Sequence, residues 1–175
     1  AYTLLPEYTD KAKVSCEMKP TDWKKMNPSN KNTDKMSKEV KILRLWVNHG
    51  QTPVNDVYGY AVYTGKGTPQ SVLPFEVMRN DIGVQAIRTK DKSIVQAVFY
   101  PGDAVLKYKD LTLSVSAPCA VMIQKVGGKY RISVTDATMN ADLKSIIVTL
   151  NGKAYELSLP SGLHCGNTVT QDFDI

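Results

Sequence analysis

Residues 40–63 read VKILRLWVNHGQTPVNDVYGYAVY, and this stretch decides the fold class. Residues 40–47 are apolar and β-branched with charge at Lys41 and Arg44, whereas residues 58–63 alternate aromatic with small side chains. Branched and aromatic side chains fit a pleated, half-buried surface, so both parts are predicted to be strands. The connection at residues 48–56 contains Gly, Pro, Asn and Asp, which favour turns for backbone reasons. It is too long for a two-residue hairpin and is expected to form an ordered loop.

Strand patterns continue on both sides of this stretch. From residue 75 onward, short runs rich in Val, Ile, Thr and Tyr alternate with turn residues at roughly 8–12-residue spacing, which is typical of an antiparallel β-sandwich or barrel. No amphipathic helical segment alternates with these runs, so a parallel α/β sheet is not expected. Residues 1–11 are predicted to be irregular, residues 13–18 a one-sided strand, and residues 21–28 a short helical turn. The predicted fold class is all-β, an antiparallel β-sandwich.

Composition places limits on the function. The 175 residues suffice for one medium domain or two small ones, and a hydrophobic fraction of 42% argues against wholesale disorder. No run approaches the roughly 20 apolar residues of a membrane span. The first residues do not form an intact signal peptide, although one could have been removed. A formal charge of +5 suggests a polyanionic partner, either nucleic acid or acidic glycan, and a basic domain without such a partner stays open.

The cysteines and histidines offer little catalytic or metal chemistry. Cys16, Cys119 and Cys165 are odd in number and form no CxxC motif, so a disulfide framework is excluded and one disulfide stays open. Cys119 is expected to be a buried thiol. With His49 and His164 as the only histidines, the spacing for a zinc site is absent, and neither a metal nor a cofactor is expected. His49 follows Asn48 in the central loop and is interpreted as either a functional residue or a hydrogen-bonded loop strut.

Tyrosines at strand positions provide the candidate binding residues. Tyrosine rings can stack on sugar rings, but tyrosines in strands are by default expected to be core residues. This set comprises Tyr58, Tyr60, Tyr63, Tyr100 and Tyr108. The candidate carbohydrate-binding residues are Asn48, His49, Tyr58 and Tyr60, and no catalytic residue is assigned.

An ordered series of motifs runs through residues 12–139. The central part contains Leu45-Trp46-Val47-Asn48-His49-Gly50, Pro53, Asn55 and Tyr58-Gly59-Tyr60. Downstream motifs are Val77-Met78-Arg79-Asn80, Val84-Gln85-Ala86, Val95-Gln96-Ala97-Val98-Phe99-Tyr100, Pro118-Cys119-Ala120 and Val134-Thr135-Asp136-Ala137-Thr138. In order and spacing, this series resembles polysaccharide lyase family 8, which contains chondroitin, hyaluronate and xanthan lyases. Asn48 and Ala137 depart from the family, which commonly has Asp and Pro there.

The resemblance implies a domain organisation and a limit on activity. Residues 1–74 resemble the end of the large central β-sandwich, and residues 75–175 the small C-terminal antiparallel sandwich. Family members carry their catalytic Asn, His, Tyr and Arg residues mainly in an N-terminal α/α domain, which cleaves uronic-acid-containing glycans by β-elimination. This chain is therefore expected to be inactive alone and to support that catalytic domain. An acidic polysaccharide, no nucleic acid, and a secreted or periplasmic location are expected.

Two other functions stay open at this point. One is a free-standing carbohydrate-binding module, in which Lys and Arg contact sulfate or carboxylate. The other is a structural or adhesin-like sandwich with an apolar surface for a protein partner. If residues 1–74 are the end of a larger sandwich, their strands lack neighbours. We then expect the fragment to self-associate through the face formed by residues 40–63.

Overall fold

The chain forms two compact units, Ala1–Pro69 and Gln70–Ile175. The computed structural model describes residues 2–22, 27–29, 37–66 and 72–175. Within these ranges the regular elements are β-strands and two short 3₁₀ helices, and the sheets are antiparallel. The predicted all-β, antiparallel fold class is confirmed. Nowhere in the described ranges is there a helix long and apolar enough to cross a membrane. The predicted domain boundary between residues 74 and 75 stays a prediction.

The first unit contains two separate two-stranded sheets. Its elements are β1 (Tyr2–Leu4), a 3₁₀ helix (Pro6–Lys11), β2 (Ala12–Asp22), β3 (Ser37–Val47) and β4 (Tyr60–Val62). Strand β1 pairs with β4, and the long strand β2 pairs with β3 along its whole length. Among the described residues of this unit, only the apolar side chains of Leu5 and Tyr8 are buried. The unit therefore has little core of its own.

Two local predictions for this unit are wrong. The first residues are not irregular, because β1 finds its partner more than 50 positions later and the 3₁₀ helix follows it. The helical turn expected from residue 21 does not begin there. Thr21 and Asp22 instead continue β2 and pair with Lys38 and Ser37. Residues 23–26 of that predicted turn lie outside the described ranges. In both places a long-range strand partner overrides the local sequence preference.

The second unit is an antiparallel β-sandwich. Its strands are β5 (Phe75–Asn80), β6 (Val84–Thr89), β7 (Ile94–Phe99), β8 (Val105–Tyr108), β9 (Leu111–Val115), β10 (Cys119–Val126), β11 (Lys129–Thr135), β12 (Ser145–Leu150), β13 (Lys153–Ser158) and β14 (Val169–Asp174). A six-stranded sheet has the order β14-β11-β10-β7-β6-β5, and a four-stranded sheet has the order β13-β12-β9-β8. A second 3₁₀ helix, Gly162–His164, precedes β14.

The core lies between these two sheets. In β6, β7, β10, β12 and β13, alternate residues are buried, as the period of two in the sequence predicts. The largest fully buried side chains come from both sheets: Phe99, Leu106, Leu113, Ile132, Ile146 and Leu157. This shared apolar layer is what holds the sandwich together.

Two irregular features shape the sandwich edges. The edge strand β5 contains a β-bulge, because its pairing register with β6 shifts between Val77 and Arg79. The hairpin between β12 and β13 turns at Asn151 and Gly152, both with positive φ, as the Asn-Gly signal predicts. The side-chain Oδ1 of Asn151 accepts a hydrogen bond from the Thr112 amide at 2.7 Å. The turn is therefore fastened to β9.

Candidate functional site

The loop after β3 is held by its own polar groups. The Asn48 amide donates to the Lys11 carbonyl at 2.8 Å, and Asn48 Oδ1 accepts from the Gly50 amide at 3.0 Å. Such a contact two residues along the chain is the turn that Asn side chains commonly form. Gly50 has φ of +78°, a conformation that favours glycine. The Asn48 side chain thus stabilises the turn.

Asp56 anchors the histidine of this loop. Its carboxylate accepts hydrogen bonds from Lys11 Nζ at 2.6 Å, from His49 Nδ1 at 2.7 Å and from the Val57 amide at 3.0 Å. The bond from Lys11, followed by that from His49, lowers the pKa of Asp56 to about 2. Because the ionised carboxylate only accepts hydrogen bonds, the proton lies on Nδ1 and Nε2 is left for other contacts.

Aromatic rings extend from His49 along the following segment. The ring of His49 meets Tyr58 edge-on at 5.8 Å, and Tyr58 lies parallel to Tyr60 with a centroid distance of 6.1 Å. Tyr2 of β1 adds a tilted contact to Tyr60 at 6.0 Å. The expectation that strand tyrosines belong to the core is wrong here, since 53% of Tyr58 and 51% of Tyr60 is exposed. Tyr63 and Tyr100 are also exposed, whereas Tyr108 packs against the core.

These rings line a groove of about 550 Å³ in the first unit. Three of the four predicted site residues, His49, Tyr58 and Tyr60, therefore share one surface, and Asn48 does not line it. The remaining lining is apolar: Tyr2, Leu4, Leu43, Leu45, Trp46 and Val47. Leu43 is 71% exposed and Trp46 44% exposed, although both are large apolar side chains. The groove is suited to bind an apolar or ring-shaped partner.

Reactive groups are sparse within the described ranges. No cluster of three His, Cys, Asp or Glu side chains able to hold a metal occurs there. Cys16, Cys119 and Cys165 are free thiols, so the single disulfide left open by the sequence is not formed. Cys119 is buried as predicted, and burial, with a smaller contribution from Asp136, raises its pKa to about 12. A thiol with this pKa is a poor nucleophile at neutral pH.

Comparison with known proteins shows which protein family the chain resembles. Residues 76–145 match the model of the polysaccharide lyase family 8 C-terminal β-sandwich domain. The resemblance to polysaccharide lyase family 8 is confirmed. Chondroitinase-AC from Pedobacter heparinus is 30% identical to this chain over 128 residues, which are 70% of this chain and 18% of that protein. The chain thus spans under one fifth of the length of this relative.

Solved structures of similar lyases agree with the fold. A chondroitinase AC lyase aligns with 97% of this chain and 30% of its own at 21% identity, with a TM-score of 0.69. A Paenibacillus xanthan lyase aligns with 80% of this chain and 14% of its own at 20% identity, with a TM-score of 0.65. At these identities the likeness shows a shared fold and gives no information about the substrate.

The second unit also contains an ion network that the sequence did not predict. Only 3% of the Arg88 side chain is exposed. Its Nη2 donates to Glu76 Oε1 and its Nη1 to Asp110 Oδ1, each at 2.7 Å. Glu76 also accepts from Lys109 Nζ at 2.8 Å and from the Tyr108 hydroxyl at 3.2 Å. Hydrogen bonds from Lys109 first, then Arg88, lower the pKa of Glu76 to about 2.

A signal for this network was present in the sequence. Arg88 shares the inward-facing phase of β6 with Val84 and Ala86, both of which are buried. A charge at an inward position must find partners, because an unpaired buried charge is costly. The identity of the partners was not predictable, since Asp110 lies in a turn of the other sheet.

Proposed function

We propose that this chain is the non-catalytic C-terminal β-region of a polysaccharide lyase and supports the catalytic domain of the full-length enzyme. The observation that carries the proposal is the match of residues 76–145 to the family 8 C-terminal domain. The chain spans 18% of the Chondroitinase-AC that it resembles, which leaves most of such a protein to supply the catalytic groups.

The first unit supplies a physical route for such support. Its two-stranded sheets present exposed Leu43, Leu45 and Trp46 at one groove, and two-stranded sheets are marginal alone in water. Covering these side chains would remove apolar surface from water and complete the sheets. We infer that preceding strands of the full-length protein provide this cover, and that the covered unit braces the catalytic domain.

The proposed substrate is supported by the same family resemblance. We propose that the full-length enzyme acts on uronic-acid-containing polysaccharides by β-elimination and works in a secreted or periplasmic location. The net charge of +5 favours contact with an acidic glycan, because opposite charge raises the local concentration of a polyanion. Contact by this region would be secondary to catalysis elsewhere.

An elimination assay with two arms tests the proposal. In the first arm, the 175-residue chain is mixed with chondroitin sulfate or hyaluronan, and absorbance of the unsaturated product is followed. No turnover is expected. In the second arm, the lyase segment that precedes this chain is assayed with and without the chain added in trans. We expect the chain to raise its activity or its thermal midpoint. Turnover by the chain alone would contradict the non-catalytic assignment, and no effect in trans would contradict the supporting role.

The second candidate function is a free-standing carbohydrate-binding module. The parallel rings of Tyr58 and Tyr60 beside His49 favour it, since exposed aromatic faces stack on sugars. The two functions differ in one outcome. A binding module retains affinity for an acidic glycan when nothing covers the groove, and this affinity depends on the two tyrosine rings.

A further inference from the structure

A small cavity lies at one end of the sandwich in the second unit. Its volume is about 60 Å³. Residues from turns and strand ends of both sheets surround it, and the charged ones are Arg88, Lys92, Asp110 and Lys125. One water occupies about 30 Å³ in the liquid, so the cavity has room for a compact group of a few atoms.

The side chains around this cavity carry a surplus of positive charge. Arg88, Lys92 and Lys109 form ion pairs with the two carboxylates of the network, Glu76 and Asp110. Lys125, at the end of β10, also lines the cavity and has no ion-pair partner within the described ranges. The charged side chains that line the cavity are the cations Arg88, Lys92 and Lys125 and the carboxylate of Asp110, and 3 − 1 leaves a charge of +2. A network that served only to neutralise Arg88 would not require this surplus.

The buried guanidinium retains donors for a further acceptor. An arginine side chain has five N–H groups. Arg88 uses its Nε and Nη2 atoms toward Glu76 Oε1 and its Nη1 atom toward Asp110 Oδ1, which are three bonds. Two of the five N–H groups therefore have no acceptor within the described ranges. Arginine favours oxyanions because its planar fork matches their oxygen geometry.

We propose that this cavity binds an oxyanion group, a sulfate ester or a carboxylate, of an acidic polysaccharide. The buried Arg88 lines this cavity together with Lys92 and Lys125, which are both exposed. The oxyanion site follows from the geometry of the second unit alone. Its assignment to a polysaccharide rests on the proposed function.

The test is an NMR titration of the full 175-residue chain labelled with ¹⁵N. Three ligands are compared at constant ionic strength: sodium sulfate, a chondroitin sulfate oligosaccharide and its desulfated form. Constant ionic strength is needed because exposed charges are screened by salt. We expect saturable shifts at the amides of Ser93, Lys125 and Asn151, which line the cavity, with sulfate and with the sulfated oligosaccharide. The desulfated form separates binding of the carboxylate from binding of the sulfate ester.

Two charge variants have opposite expected effects on binding, and a third is the control. Lys125→Gln should weaken binding about two- to fivefold, the range of an exposed charge pair. Asp110→Asn should tighten binding, because it removes a competing carboxylate and raises the surplus charge from +2 to +3. Lys107→Gln is the matched control, since it removes an exposed lysine that does not line the cavity.

Each other outcome overturns a defined part of the proposal. No saturable shift at the cavity, or equal weakening by Lys107→Gln and Lys125→Gln, overturns the oxyanion site while the supporting role in trans stands. Saturation by inorganic sulfate with no cavity shift from either oligosaccharide overturns the polysaccharide assignment. Weaker binding by a folded Asp110→Asn variant contradicts the charge argument.

Discussion

At the scale of single residues, Arg88 shows how the sandwich tolerates a charge between its sheets. Taking a guanidinium out of water is costly unless hydrogen bonds compensate for its lost hydration. Glu76 and Asp110 supply these bonds, and their carboxylates keep partial contact with solvent, with 27% and 57% of the side chain exposed. The guanidinium also lies 5.5 Å from the centre of the Tyr108 ring. Arg88 thereby connects strands of both sheets at one end of the sandwich.

Glu76 makes the stability of the second unit dependent on pH. Its pKa is about 2 in the folded protein and near 4.5 when unperturbed. A lowered folded-state pKa stabilises the fold fully above about pH 4.5, and this contribution is lost as the pH falls toward about 2. We expect Glu76→Gln to be less stable than the parent chain at neutral pH and to lose less stability on acidification.

Urea unfolding from about pH 6 to about pH 2.5, followed by NMR signals of the second unit, measures both effects. Glu7→Gln is the control, because Glu7 lies in the first unit and outside the Arg88 network. Identical pH slopes for the parent chain and Glu76→Gln would show that the hydrogen bonds to Glu76 do not stabilise the fold.

At the scale of elements, the local sequence of the β12–β13 hairpin and its tertiary contacts favour the same turn. Asn151 and Gly152 have φ values of +48° and +85°, which suit a tight hairpin turn. The backbone of Asn151 also donates to the Thr112 carbonyl at 2.8 Å, so the turn docks on β9 through backbone and side chain.

Replacing the turn glycine should destabilise the second unit. Gly152→Ala places a Cβ atom at positive φ, which costs about 1–2 kcal/mol in a left-handed conformation. For a domain of this size, 1 kcal/mol lowers the thermal midpoint by about 4–8 °C. Ser158→Ala, on the exposed face of β13, is the matched control and should shift the midpoint little. An unchanged midpoint in Gly152→Ala would mean that the turn adapts without strain.

The sequence predicts the second unit better than the first for a physical reason. Alternation of the kind seen at Leu111, Leu113 and Val115 specifies both the strand and the inward face, and short turns specify the neighbour. In the first unit, by contrast, β1 pairs with β4 across the whole of β2 and β3. No local pattern predicts such a partner.

The candidate site was predictable only in part. His49, Tyr58 and Tyr60 are close in sequence, and the structure brings them to one groove. The contribution of Lys11 and Asp56 depends on the packing of the first 3₁₀ helix against the central loop, which residue types alone do not specify. Similarly, the cavity beside Arg88 is lined by residues from four hairpin turns and the strand ends next to them. No local sequence pattern predicts that these residues meet.

At the scale of the whole molecule, the two units differ in the extent of their hydrophobic cores. The sandwich unit buries a continuous apolar layer that includes Phe99, Leu113 and Ile146. The first unit instead leaves large apolar side chains such as Leu43 and Val14 exposed. Exposed contiguous apolar surface favours association, because burial removes that surface from water.

We therefore predict that the 175-residue chain self-associates through the face formed by residues 40–63. Sedimentation at several concentrations should show a species larger than the monomer, and Leu43→Lys should shift it toward monomer. Leu163→Lys is the matched control, because Leu163 is fully exposed in the second unit. A strictly monomeric chain at high micromolar concentration would rule out this association.

The bulge in β5 has a separate consequence for how the sandwich ends. A regular outer strand offers an unbroken row of amide and carbonyl groups on which another chain can continue the sheet. The register shift between Val77 and Arg79 interrupts this row, and Arg79 Nη1 donates instead to the Val105 carbonyl of the opposite sheet at 3.0 Å. An incoming strand would meet a bent and more strongly twisted edge, which disfavours further pairing on this side of the sheet.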